Sequence, residues 1–382
     1  MKIIVNKSSL EICVKNLVRV INPRCALPIL GDIHFDVNEQ AKTARLTASD
    51  LEVTLSNEVI LSECEGGGRF CVEAQTLAAM LAGASEQPLT ILATTESDMR
   101  FTMTYTDGSA FCAIENADEY PMPIAEAYNE KLDGMKGEYM RNALKRSLWA
   151  VSDDELRPVM NGVNFALVDG YLDIVASNGH VMMKSHKSVI DKVSLNRIGS
   201  FIMPKKVAKI LGDITEDGDF VDIEWNDHEA HVKLVGSDIY FRLIEGKYPN
   251  YNAIIPDRHA HEVSCHRIEL LAALRAVYPF APDASQLLAM TFEGERLEMR
   301  GENYDFCKGA VKSISTEGYE GDPLVIGIKA SSIIGMLSKL STQDVLLKMN
   351  DPSRCIVIEP NDDSDDSDEE ITGLLMPMLL NE

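Results

Sequence analysis

The sequence predicts an α+β protein made of three copies of one unit, each with two helices packed on antiparallel sheet. Three observations carry that expectation. A helical pattern followed by extended runs, clearest over 139–183, recurs along the chain. Met140, Leu144 and Leu148 stand 130 residues after Leu10, Val14 and Val18, and 130 before Leu270, Leu274 and Tyr278. One basic residue sits beside the middle apolar position each time, as Lys15, Lys145 and Arg275. An extended run carrying a phenylalanine then follows each helix, with Phe35, Phe165 and Phe292. Self-similarity at a long fixed period sets the architecture before any local assignment.

The elements follow in order. A strand is expected at 2–5 and a helix at 10–21, capped by Ser8 or Ser9, with Asn22 and Pro23 as its stop. On that helix Leu10, Val14, Leu17, Val18 and Ile21 share one face, and Lys15 and Arg19 share another. Strands at 33–37, 43–49 and 52–61, a helix at 74–81 and strands at 89–94, 99–105 and 109–114 complete the first copy; Asp107-Gly108 marks a hairpin turn. The polar, proline-bearing stretch 118–133 reads as a linker. The second copy has helices at 139–149 and 204–211, with strands at 160–168, 171–176, 180–184, 220–225, 230–235 and 240–244. Tyr248-Pro249 repeats Tyr120-Pro121 at a distance of 128 residues. The third has helices at 266–278 and 330–340 and strands at 345–349, 355–359 and 373–378. Domains are therefore expected at 1–130, 131–257 and 258–382. Seven acids within 362–370 repel one another and read as a solvated loop.

Composition narrows the function. Of 382 residues 45% are hydrophobic, ample for packed cores, and the formal net charge is -24. A broad basic surface that grips nucleic acid is excluded, so any such contact is local. Eight cysteines include no CxxC pair, which argues against a zinc or redox motif; they read as small core residues. No signal peptide and no apolar run of membrane-spanning length is seen, so a cytoplasmic protein without membrane contact is expected. His228/His231 and His259/His261/His266 lack the carboxylate partners and helical spacing of a zinc site. Asp50 and Glu52, at i and i+2, read as turn-forming or solvated. Gly66-Gly67-Gly68 lacks the Lys-Ser/Thr of a phosphate loop, and Gly-x-Ser-x-Gly is absent. No catalytic residue, metal or cofactor is expected.

The positive charge is concentrated on the expected helices and their flanks: Lys7, Lys15, Arg19, Arg141, Lys145, Arg146, Lys205, Lys206, Lys209, Arg267, Arg275, Lys329 and Lys339, against Glu11, Glu73, Glu138 and Glu269. These are either ordinary solvated faces or one shared surface facing an anion. Stacked copies turn equivalent elements the same way, which would gather the bases on one side.

Over nearly its whole length the chain resembles the bacterial sliding clamps, the beta subunits of replicative DNA polymerase. The resemblance rests on Leu27-Pro28-Ile29-Leu30-Gly31, Ser49-Asp50-Leu51-Glu52, Asn161-Gly162, Ala176-Ser177-Asn178-Gly179-His180, Pro204-Lys205-Lys206, Gly246-Lys247-Tyr248-Pro249-Asn250-Tyr251 and Met376-Pro377-Met378, in that order and spacing. It implies three clamp-type domains per chain and a ring formed by a head-to-tail homodimer, with helices inside and sheet outside. It further implies a non-catalytic processivity factor that encircles duplex DNA and slides. The implied partners are the replicative polymerase's catalytic subunit, an ATP-driven clamp loader, and other polymerases and repair proteins carrying clamp-binding peptides. Toward DNA it places Arg24, Lys15, Arg19, Arg141, Lys145, Lys205 and Lys206. Its peptide cleft, between the second and third domains, comprises Arg157, Met160, Ser177, Gly179, His180, Val181, Met182, Pro249, Ala253, Ile254, Leu374, Leu375, Met376, Pro377 and Met378. Methionines give such a cleft an adaptable apolar surface. The subunit contact is implied at Phe111, Val277 and Tyr278. Departures from the family lie at Pro158 and Val159 after Arg157, at Ala253 and Leu379 in place of basic residues, and at the added Asn381 and Glu382. They bear on the preferred peptide, and the first pair also on a DNA contact; the ring is untouched. A non-enzymatic repeat scaffold without DNA encirclement is the alternative reading.

Overall fold

The computed structural model describes residues 1–22, 24–25, 27–95, 99–123, 127–189, 199–361 and 369–380. One element order is used three times: strand, helix, four strands, helix, three strands. The first copy comprises β1 (Lys2–Asn6), α1 (Lys7–Val18), β2 (Asp32–Asn38), β3 (Thr43–Ser49), β4 (Val53–Ile60), an additional short β5 (Glu63–Glu65), β6 (Gly68–Glu73), α2 (Ala74–Ala82), β7 (Pro88–Thr94), β8 (Arg100–Tyr105) and β9 (Gly108–Ala113). The second comprises β10 (Glu130–Lys136), α3 (Gly137–Ala150), β11 (Gly162–Val168), β12 (Tyr171–Ser177), β13 (Val181–Ser188), β14 (Gly199–Pro204), α4 (Lys205–Ile214), β15 (Phe220–Trp225), β16 (Glu229–Leu234) and β17 (Ser237–Arg242). The third comprises β18 (His261–His266), α5 (Arg267–Val277), β19 (Leu287–Glu293), β20 (Arg296–Asn303), β21 (Lys308–Ser315), β22 (Leu324–Lys329), α6 (Ala330–Leu337), β23 (Asp344–Met349), β24 (Ile356–Pro360) and β25 (Glu369–Leu375).

Each copy shares sheet with its neighbour. One eight-stranded sheet has the order β10-β15-β16-β17-β4-β3-β2-β6, joining the first two copies; the other, β14-β11-β12-β13-β25-β24-β23-β18, joins the last two. The seams are the antiparallel pairs β4·β17 and β13·β25. A five-stranded sheet, β5-β1-β7-β8-β9, and a four-stranded sheet, β21-β20-β19-β22, use the remaining strands. Residues accordingly group into two compact units, 1–141 with 210–243 and 142–209 with 244–382. Each unit contains one eight-stranded and one smaller sheet.

The repeat seen in sequence is a repeat of burial. Leu10, Met140 and Leu270, and after them Val14, Leu144 and Leu274, are all buried. Val18, Leu148 and Tyr278 are half-buried, and the flanking Lys15, Lys145 and Arg275 are exposed. Each fully buried aliphatic side chain contributes roughly 1.5–3 kcal/mol against its exposed state. Phe35, Phe165 and Phe292 are buried on β2, β11 and β19. Phe35 stacks on Phe70 at 4.9 Å and Phe165 on Phe201 at 4.8 Å, while Phe292 lies 6.1 Å from Tyr319.

Several expectations need correction. Helix α1 begins earlier than expected, at Lys7: Asn6 is the cap, its side chain accepting from Ser8 N. Pro23 lies outside the described residues; the helix has already ended at Val18, with Arg19 as its C-cap. Part of the expected linker is strand β10, which pairs with β15 through Lys136↔Phe220. The expected strand 373–378 stops at Leu375, since Pro377 has no N–H to give a ladder. Of the acidic run, 362–368 lie outside the described residues, and Glu369 and Glu370 open β25. Of the eight cysteines, all free, Cys13, Cys71, Cys265 and Cys355 are buried while Cys307 is exposed.

Candidate peptide cleft, basic helix faces and open sheet edges

The residues expected in the peptide cleft all fall in the second unit, where three local structures bring them together. The first is the β12–β13 turn. Asn178 Oδ1 accepts from the His180 and Val181 amides at 2.9 and 3.0 Å, and Ser177 Oγ accepts from Gly179 N at 3.1 Å while donating to Val181 O at 2.8 Å. Gly179 holds φ +88°, and a Cβ there would stand 3.2 Å from an Arg157 guanidinium nitrogen. The second is the turn Pro158–Met160 after Arg157, whose Nε donates to Asp154 at 2.9 Å. The third is the end of β25: Val181 pairs with Leu375 and Met182 with Leu374, and Met376 N donates to His180 O at 2.9 Å.

Burial divides the set. Met160, Ser177, Val181, Met182, Leu374 and Leu375 are buried. Arg157, Gly179, His180, Pro249, Ala253, Ile254 and Met376 are exposed, while Pro377 and Met378 are half-buried. Under them lies a cluster of Val175, Met182, Ile202, Tyr248, Cys355 and Leu374, with Val159, Ile244, Tyr251 and Ile255 against it. Tyr248 joins the site from the repeated Tyr-Pro pair, a role that its pattern in the sequence does not reveal. Its hydroxyl accepts from Ser177 N at 2.9 Å, and burial pushes its pKa up to about 12. Tyr251 joins the site as well: its hydroxyl donates to Asp173 at 2.7 Å, and Lys184 pairs with the same carboxylate at 3.2 Å. Met378 N donates to Gly327 O at 2.8 Å, tying the tail to β22.

The basic residues expected toward DNA have carboxylate company. Lys15 pairs with Glu11 at 3.0 Å, Lys205 with Asp153 at 2.6 Å, Arg19 with Asp213 and Arg141 with Asp217. Lys145 is exposed, as is Arg24, and Lys206 is half-buried. Two helix bases counted with them serve the fold instead. Arg146 is buried, donating to Ser185 Oγ at 3.1 Å and pairing with Glu369. Arg267 donates to the carbonyls of Thr342 and Leu337, capping the end of α6.

Of the residues expected at a subunit contact, Phe111 is 66% exposed on β9, with the Arg100 guanidinium 4.9 Å from its ring centre. Tyr278 is half-buried. Val277 is a correction: it is buried, on the core side of α5, and has no surface to offer. Among the described residues, the outer edges of β9 and β21 have no partner strand. Val311 on β21 is 50% exposed, and Phe306 before it 69%.

Three family models match in order along the chain: the N-terminal domain of the DNA polymerase III beta subunit over residues 1–123, the central domain over 134–250 and the C-terminal domain over 252–379. The chain is 23% identical over 362 residues to the beta sliding clamp of Halalkalibacterium halodurans, covering 91% of this chain and 93% of that one. The Pseudomonas aeruginosa sliding clamp bound to griselimycin superposes with a TM-score of 0.91 at 20% identity, over 100% of both chains. The Helicobacter pylori beta clamp bound to a DNA ligase peptide does so at 0.88 and 18%, again over 100% of both. A threefold repeat of this element order, sharing sheets at its seams, is the sliding-clamp fold. The chain belongs to the DNA polymerase III beta subunit family. Its function is that of a DNA polymerase processivity factor, and a repeat scaffold unrelated to DNA is not favoured.

Proposed function

We propose that two chains join head to tail into a ring that encloses duplex DNA without reading its sequence, and that the cleft built on Ser177–Met182 and Leu374–Met378 takes client peptides. The division into domains 1–130, 131–257 and 258–382 belongs to this reading; the first boundary falls one residue inside β10. The observation that carries the ring is the pair of unfinished sheets. Within the chain, the third sheet strand of one copy pairs with the last strand of another, as β4·β17 and β13·β25. By the same rule β21 lacks a partner and β9 is the strand left over to supply it, from a second copy. A contact between two different patches closes when its rotation allows.

Enclosure resolves the charge conflict. A protein of net charge -24 repels DNA overall, but a topological link needs no net adhesion. Lys15, Arg19, Arg24, Arg141, Lys145, Lys205 and Lys206 offset the repulsion locally. Four of them are already paired with carboxylates, so a phosphate contact made by any of these four exchanges one anion for another and stays weak enough to slide. The protein is non-catalytic and cytoplasmic in this reading, and no described helix is long and apolar enough to cross a membrane. Clients would be the replicative polymerase and other polymerases and repair proteins bearing clamp-binding peptides. A closed ring also requires an ATP-driven loader to open it.

The test is topological. Loaded onto nicked circular DNA, the protein should stay through high salt and leave once the circle is cut. Equal loss from circular and linear DNA would refute enclosure.

A further inference from the structure

The seam between the first and second copies reproduces four hydrogen bonds of the peptide cleft. Leu51 N donates to Ser49 Oγ at 3.2 Å as Gly179 N does to Ser177 Oγ at 3.1 Å. Asp50 Oδ1 accepts from the Glu52 and Val53 amides at 3.1 and 2.8 Å, as Asn178 Oδ1 does from His180 and Val181. Arg242 N donates to Glu52 O at 3.0 Å, in the place of Met376 N on His180 O. Pro121 follows Tyr120 as Pro249 follows Tyr248. The frame encloses a cleft of about 340 Å³ in the first unit, lined among others by Leu51, Glu52, Met122, Glu229, Tyr240 and Arg242.

The side chains differ where the frames agree. Leu51 takes φ +75°, the left-handed conformation that its counterpart Gly179 adopts freely at +88°. A leucine held there is strained, and strain of that kind clusters at ligand sites. Its side chain is 52% exposed, and Met122 across the lining is 47% exposed. Charge differs as well. At the first-described cleft Arg157 is paired with Asp154 and His180 follows the glycine, whereas here the acidic Glu52 stands at the His180 position. Glu229 is registered opposite Arg242 across β16·β17, so these two offset each other and leave Glu52 as the net charge.

We propose that this is a second peptide site, for a short extended segment of a partner protein with an apolar anchor between Leu51 and Met122 and a lysine or arginine beside it on Glu52. The proposal rests on the reading of the equivalent cleft as peptide-binding. The apolar pair supplies the anchor, the carboxylate fixes the register, and that carboxylate, which the other cleft lacks at the equivalent position, favours a basic peptide here.

The test uses the full chain and two fluorescein-labelled peptides sharing a leucine–phenylalanine pair, one preceded by glutamine, as the family resemblance implies for clamp-binding peptides, and one flanked by lysines. In anisotropy titrations, Glu52→Lys and Leu51→Gly should each weaken the lysine peptide about tenfold, the loss expected of one anchor, and leave the glutamine peptide unchanged. Met376→Glu should do the reverse. Leu51→Gly keeps the backbone, so loss of binding with an intact melting transition separates a lost anchor from misfolding. The proposal fails if the lysine peptide does not bind, if neither first-seam variant weakens it, or if Met376→Glu releases it. Failure of the glutamine peptide alone would instead count against the cleft on β13 and β25.

Discussion

Asp32 shows how a single residue can sit against the grain of its site. It opens β2 directly opposite Glu73, and it is 7% exposed. Burial, with Glu115 and Glu73 adding repulsion, raises its pKa from 3.8 to about 6. The folded state therefore holds a proton that the unfolded chain has released, and stability falls as pH rises from about 4 to about 6. Asp32→Asn should raise the melting temperature at pH 7.5, by on the order of 2 kcal/mol of stability, and do little at pH 4. Calorimetry at the two pH values decides it; an equal effect at both would assign the gain to something other than the carboxylate charge.

At the scale of elements, strand edges and helix faces make separate claims. The register of the internal seams can be carried to the open ones. Leu55 faces Ile239 and Met183 faces Gly373. Counting from Phe35, Phe165 and Phe292 through their cross-strand partners makes Lys312 the third member of the Leu55, Met183 series. Counting back from the hairpin turns makes Ala110 the counterpart of Ile239. Ala110 then faces Lys312, Phe111 faces Val311 and Cys112 faces Ala310 of the other chain, keeping core faces continuous, as a one-residue slip would not. Ala310→Cys, with Cys307→Ser to remove the exposed thiol, should form a covalent dimer with the natural Cys112 under mild oxidation. A chain that stays monomeric on non-reducing gels would reject this register. On α4, Lys205→Gln with Lys206→Gln should lower the salt slope of DNA loading by roughly one unit per lost phosphate contact; an unchanged slope would remove both from the DNA face.

For the whole molecule, the proposed ring replaces affinity with topology. If retention on DNA comes from closure, a change at the seam should abolish it without touching any base or phosphate contact. Phe111→Glu lies far in sequence from the basic helix residues and is exposed, so the fold should survive. Sedimentation should show monomer and retention on nicked circles should vanish, while thermal melting stays near that of the parent chain. A monomer that still remained on circles through high salt would overturn the ring.

The threefold plan was legible because it lies in local chemistry: apolar residues at helical spacing, a basic neighbour beside the second of them, and a core phenylalanine on the next strand. A tight turn was legible too, through Asp107-Gly108. Strand β10 was hidden because its polar, glycine-bearing sequence carries weak alternation and gains its place only by pairing with β15. The roles of Arg146 and Val277 were hidden for a related reason. A basic residue on a helix reads the same whether it meets solvent or a buried Glu369, and an apolar one reads the same whether it meets a partner chain or its own core. Pattern along the chain set the repeating elements and their faces. Which copy shares sheet with which, which bases already hold carboxylates and that β21 lacks the partner strand its counterparts β4 and β13 have depend on contacts between residues distant in sequence, and those exist only once the strands have paired.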